Sequence, residues 1–254
     1  MLSKKKDIWI VISLCVLAFY IIFMIYPLGI LFKNAVIENN GNFTFAYFSK
    51  FLSKNYYFST IFNSFKVSLA ATALTLIIGT PLAYFYNMYK IKGKTFLQII
   101  IILCSMSAPF IGAYSWILLL GRNGLITNTL KNLTGFNVPS IYGFGGILLV
   151  LCMQLYPLVF LYVSGALRNI DNSLLEASEN MGCTGTKRFF KIIIPLCIPT
   201  ILAAALMVFM RAFADFGTPL FIGEGYRTFP VEIYNQFMNE TGSDKNFASA
   251  VSII

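Results

Sequence analysis

Histidine is absent from this chain of 254 residues. That removes the commonest metal ligand and general base, and with it zinc-protease, haem and histidine-based hydrolase readings. Charge is scarce as well, at 11% of residues, where a soluble domain carries roughly a quarter. So few polar side chains could not cover a compact globule of this length. Cysteine is present five times, an odd number without metal-like spacing, which argues against a disulfide framework. No Gly-rich loop ending in Gly-Lys-Ser/Thr is present, so the chain carries no nucleotide-binding P-loop. Ser105 has no nameable partner base, and the few carboxylates form no ordered pair. No catalytic site can be assembled from these residues.

What the chain does have is apolar length. Apolar residues make up 57% of it, with 25 Phe and 14 Tyr. They gather in five runs, about 8–32, 60–88, 96–120, 141–167 and 192–216. Each meets or exceeds the ~20 residues that cross a ~30 Å hydrocarbon core as helix. Trp9, Tyr26, Tyr84, Tyr86 and Trp116 lie near run ends, where amphipathic rings favour the interface. A single run could be a buried core helix; five define an all-α polytopic membrane protein. "MLSKKKD" resembles the charged start of a signal peptide, but the apolar stretch after it exceeds a signal's short core. It reads as a retained first helix. The closing "NFASAVSII" reads as the start of a sixth span, in a chain that continues beyond it.

Basic residues set the expected orientation. With the N-terminus cytosolic, the inner segments carry Lys4, Lys5, Lys6, Lys90, Lys92, Lys94, Arg168, Lys187, Arg188 and Lys191, ten of the nineteen. The net charge of +9 is therefore topological. No basic groove or aromatic-basic interleaving speaks for nucleic acid.

Polar residues inside apolar runs are where function is expected. Arg211 and Asp215, in "LMVFMRAFADFGTP", are four apart and on one helix face can pair. They read either as an ion pair ordering the helix end or as a polar lining of a translocation route. Gly79 and Pro81, Pro109 and Gly112, and Gln154 and Pro157 read as packing and kinking positions.

Between the fourth and fifth runs lies a polar, glycine-punctuated segment, 168–191. Asn172 or Ser173 can cap a short helix, and Ser173 stands at capping-box spacing from Glu176. Gly182 ends that helix and Gly185 permits a second bend. Pro195 is placed in the first turn of the next helix, where proline is tolerated. A short helix of this kind either docks into a groove on a partner or simply rests on headgroups.

The residues Glu176-Ala177-Ser178, then Gly182, then Ile192-x-Ile194-Pro195 resemble the signature of the membrane subunits of binding-protein-dependent ABC importers. Ser178 stands for the usual Ala and Ile194 for the usual Leu. The resemblance implies a type I ABC importer transmembrane domain with five spans and the start of a sixth. It implies a first helix and outer loop over 1–56, a core over 57–254 and a coupling segment over 168–191. Glu176, Ala177, Ser178, Gly182 and Pro195 would couple it to a cytosolic ATPase dimer, which would hold ATP and Mg; this chain would bind no cofactor. Further implied partners are an extracytoplasmic substrate-binding protein and a second permease half, in a bacterial cytoplasmic membrane. "ADFGTP" with "YRTFPVEIYNQF" resembles the ferric-iron, phosphonate and polyamine branch, with iron first, phosphonate or polyamine as alternatives, and an ion-coupled secondary transporter as the reading from another class.

Overall fold

The computed structural model describes residues 2–38, 41–106, 108–135, 139–238 and 244–254. The chain is built from helices in the order α1 (Leu2–Tyr20), α2 (Tyr26–Val36), α3 (Ala46–Ser53), α4 (Asn55–Met88), α5 (Lys94–Ser105), α6 (Pro109–Leu120) and α7 (Leu125–Thr134). Then follow α8 (Phe144–Arg168), α9 (Asn172–Asn180), α10 (Gly185–Arg188), α11 (Ile194–Ala214), α12 (Gly217–Ile222), α13 (Phe229–Met238) and α14 (Lys245–Ile253). Short π-helical turns, Ile21–Ile25 and Phe189–Ile193, join α1 to α2 and α10 to α11.

Both π turns end two residues before a proline, Pro27 or Pro195. Proline lacks the N–H that would reach back four residues. The wider turn, closed by Tyr26 N–H to Ile21 O and by Ile194 N–H to Phe189 O, rearranges the ladder just ahead of it. Pro195 therefore lies well inside a helical run that starts at Gly185, not in the first turn of a new helix.

Four helices are long and apolar enough to cross a membrane: Ile8–Val36, Asn55–Met88, Phe144–Arg168 and Gly185–Ala214. The third expected run is not one straight span. It bends by 105° between Lys94–Ser105 and Pro109–Leu133, because Ala108, forced off helical geometry by the following proline (φ −67°, ψ 139°), breaks it. Counted as one broken span, this pair makes five. The expected opening of a sixth span is α14, whose nine residues extend only about 14 Å; no sixth spanning helix stands among the described residues.

The chain divides into two compact units, residues 1–59 with 232–254, and residues 60–231. In the first, α14 packs on α2 and α3. Asp244 caps α14 by accepting the Phe247 N–H at 3.1 Å, and the buried Phe247 ring meets Tyr57 and the Lys50 ammonium. Glu232 is buried here, accepting from Tyr56 Oη and Gln236 Nε2. By contrast α1 and the start of α2 are apolar and exposed from Ile8 to Ile30, a surface fit for lipid or a partner helix rather than water.

The second unit is a bundle whose centre is α8, packed on α5, α11 and α12. Along α4 the buried positions Ser64, Ser68, Thr72, Thr75, Gly79 and Ala83 form a small-residue stripe. Stripes of this kind let membrane helices approach closely. Ser68, Thr72 and Thr75 turn their hydroxyls back onto carbonyls of their own helix, so none is left unsatisfied. Asn87 adds a polar tie, donating to Ser164 Oγ of α8 at 2.9 Å.

Candidate functional site

Two places in the second unit bring polar groups together. The first is the segment around α9. Its N-cap is Asp171, whose carboxylate accepts the Ser173 N–H at 2.9 Å. The cap is thus one or two residues ahead of the expected Asn172 or Ser173, since aspartate in extended geometry presents its oxygen to the next turn. These bonds from Ser173 hold the exposed Asp171 carboxyl below the usual carboxylate range.

The other end closes in a Schellman motif: Cys183 N–H donates to Ser178 O and Gly182 N–H to Glu179 O, both at 2.9 Å. Gly182 holds φ +74° there, a left-handed value that favours glycine. Arg188 Nη1 then reaches back to Glu179 Oε2 at 3.6 Å, clasping the two arms of the turn. That pair joins residues nine apart across two glycines, and no local periodicity announces it.

α9 has two faces. Leu175 packs on the core and Ser178 is buried, its hydroxyl donating to Leu175 O at 2.7 Å. Leu174, Ala177 and Met181, spaced i, i+3 and i+7, lie on another face and are all exposed, Met181 at 83%. Glu176 and Gly182 are exposed beside them. Of the expected coupling residues, Glu176, Ala177 and Gly182 face outward and Ser178 faces inward, while Pro195 is exposed on the helix beyond the π turn.

The second place is a cavity of about 330 Å³ bordered by Pro109, Phe110, Gln154, Arg211, Asp215 and Gly217. Two breaks in helical structure meet at it, one before Pro109 and one at Asp215, where α11 ends in extended geometry (φ −73°, ψ 120°). Non-helical backbone at membrane depth is tolerated where it is buried in protein or lines a wet cavity. Because Asp215 has left the helix, its spacing of four from Arg211 no longer puts both on one face. Among the described residues no ion pair joins them. Asp215 Oδ1 instead accepts the Gly217 N–H at 3.1 Å, while Oδ2 is buried without a hydrogen-bond partner. Gln154, read from sequence as a helix–helix bond, likewise leaves Oε1 buried and unpartnered. Phe110 packs edge-on to Phe216 and Phe221, closing the apolar side. Among the described residues no cluster of three His, Cys, Asp or Glu could hold a metal ion.

Residues 75–254 match the family model described as binding-protein-dependent transport system inner membrane component. The chain belongs to this family. It is a membrane component of a transport system, as the multi-spanning architecture requires. A ferric transport system permease protein, FbpB of Actinobacillus pleuropneumoniae, is 28% identical over all of this chain and 36% of its own length. PhnU of Salmonella typhimurium, named for 2-aminoethylphosphonate transport, is 25% identical over all of this chain and 88% of its own length. The chain thus spans about two fifths or less of the ferric permeases it matches, FbpB 1 of Haemophilus influenzae included. Among solved structures, a bacterial alginate ABC transporter in complex with its periplasmic protein has a chain with TM-score 0.78 and 18% identity, covering 98% of this chain and 89% of that one. That likeness carries the fold of this family component.

Proposed function

We propose that this chain is a permease subunit of an ATP-driven, binding-protein-dependent importer, and that α9 is the element through which a cytosolic ATPase drives it. The observation that carries this reading is the two-faced build of α9. It is fixed to the bundle by Leu175 and Ser178 while offering Leu174, Ala177 and Met181 to a partner. An exposed apolar face on a capped helix suits docking into a groove. The Schellman turn and the Glu179–Arg188 clasp tie it to the helix that runs from Gly185 to Ala214. A push on α9 would then move a spanning helix as a body, which alternating access requires. In this reading the N-terminus and α9 are cytosolic, the membrane is the bacterial cytoplasmic one, and residues 57–254 are the core of a type I importer domain, completed by a sixth span. The other components are an ATPase dimer holding ATP and Mg, an extracytoplasmic binding protein and a second permease half.

For the substrate, a phosphonate takes precedence over ferric iron. The PhnU relatives match this chain from end to end over most of their own length. The ferric permeases match through a part of theirs. Ferric uptake stays as the second reading on the strength of those relatives. A complex of the chain with its ATPase and binding protein in liposomes is expected to take up 2-aminoethylphosphonate only when ATP is supplied. ATP-dependent uptake of ferric chelate in its place would overturn the substrate reading, and failure of the chain to hold any ATPase would overturn the importer reading.

A further inference from the structure

The cavity between Pro109 and Gly217 carries a charge pattern that selects among these substrates. We propose that it is a binding site within the permease for a small zwitterion with a phosphonate at one end and an ammonium at the other. Arg211 receives the phosphonate, and Asp215 with Gln154 receives the ammonium. This rests on the importer reading and adds to it a site and a substrate class.

Three unmet groups converge there. Arg211 makes no ion pair with Asp215. Asp215 Oδ2 and Gln154 Oε1 are both acceptors, buried without a donor. Leaving buried acceptors unpaired is costly, and a carboxylate near lipid depth needs a partner or a wet cavity. An ammonium has three donors and no acceptor, so one such group satisfies both oxygens at once. A phosphonate matches the planar fork of an arginine as a carboxylate or phosphate does. The volume, about 330 Å³, stands at the small end of ligand pockets. Interrupted helices around a site near the membrane interior are also how transporters expose backbone and charge to a solute.

The competing substrates each leave something unmet. A polyamine satisfies Asp215 and Gln154 but brings a second cation toward Arg211. A simple alkylphosphonate satisfies Arg211 and places no donor at the two acceptors. A bare ferric ion meets Arg211 and finds no cluster of three His, Cys, Asp or Glu among the described residues.

The test uses the complex of this chain with its ATPase in lipid nanodiscs, without the binding protein. Radiolabelled 2-aminoethylphosphonate is displaced by ethylphosphonate or by spermidine. Both competitors are expected to bind about tenfold or more weakly, the loss of one charged hydrogen-bonding group. Asp215→Asn should narrow the gap between the two phosphonates by weakening the amino compound alone, and Gln154→Ala should do so to a smaller degree. Arg211→Gln should weaken both phosphonates, with Arg211→Lys recovering part of the loss. Equal affinity of wild type for the two phosphonates overturns the site, whatever the variants do. So does absence of binding in a complex whose complete importer takes up 2-aminoethylphosphonate, and that outcome leaves the importer reading standing. If the complete importer takes up no phosphonate, the substrate reading fails first and this site falls with it.

Discussion

Gly79 of α4 faces Val159 of α8 so closely that a β-carbon on Gly79 would lie 2.8 Å from Val159 Cβ and 3.1 Å from the Tyr156 carbonyl oxygen. No real β-carbon sits that near another carbon, and a backbone carbonyl in a helix cannot swing aside. The two helices touch at this point because one of them has no side chain there.

Gly79→Ala is accordingly expected to push α4 off α8 and to destabilise the bundle by about 1–3 kcal/mol, the range for overpacking a tight interior. Gly165→Ala, with nothing within 4 Å of its would-be β-carbon, is the control and should be neutral or slightly stabilising through helix propensity. Thermal unfolding of the two variants in the same detergent checks the pair.

Gly182 tests conformation rather than space. Nothing lies within 4 Å of a β-carbon placed on it, yet it holds φ +74°. Gly182→Val is expected to cost about 1–2 kcal/mol from left-handed strain alone and to loosen the turn that joins α9 to the following helix. Gly182→Asn, better tolerated in that region, should cost less. Uptake driven per ATP hydrolysed is the measurement, with valine well below asparagine.

The spans were legible because hydropathy over twenty residues is a strong signal: runs 60–88, 141–167 and 192–216 lie within or beside Asn55–Met88, Phe144–Arg168 and Gly185–Ala214. The bend at Pro109 was visible as a proline but not as a 105° break, because a sequence does not say whether neighbours will straighten a kink. Gly182 as a helix stop could be read locally, since a Schellman turn needs its glycine within the segment it closes. The Asp171 cap was missed by one or two residues, within the ordinary blur of helix ends. Arg211 and Asp215 were read as one face because a spacing of four assumes a continuous helix, and the helix ends between them. Glu232 and Tyr56, 176 residues apart, left no trace in any window.

Asp171 gives a pH prediction. Its carboxyl is held below the usual range by the Ser173 N–H and hydroxyl, so the cap's contribution is fully present above the ordinary aspartate value of about 3.9 and is lost as pH falls through the lowered one. Hydrogen exchange at the first turn of α9 should show protection that does not vary between about pH 5 and 8 by this group and that weakens only in stronger acid. Asp171→Ala should speed that exchange several-fold at neutral pH. Asp171→Asn keeps an acceptor oxygen without the titration and should restore protection with no acid step.

Met181 carries the most direct test of docking. It is 83% exposed, Leu174 is 51% exposed and Ala177 is exposed between them, while the core-facing side of α9 is held by Leu175 and Ser178. A charge at Met181 therefore touches neither the bundle nor the hydrogen bonds of the cap, which run from backbone groups of Gly182 and Cys183. If the face only rests among headgroups, Met181→Glu changes little in how the chain associates. If it fills a pocket on the ATPase, a buried carboxylate without a partner costs about 2 kcal/mol or more, the scale of an interface hot spot, and the ATPase should dissociate at least tenfold more readily. Met181→Leu, of similar size and polarity, should bind as wild type does. Titrating the ATPase against the three chains in nanodiscs separates the cases, and equal affinity of Met181→Glu and wild type would remove α9 from the coupling path.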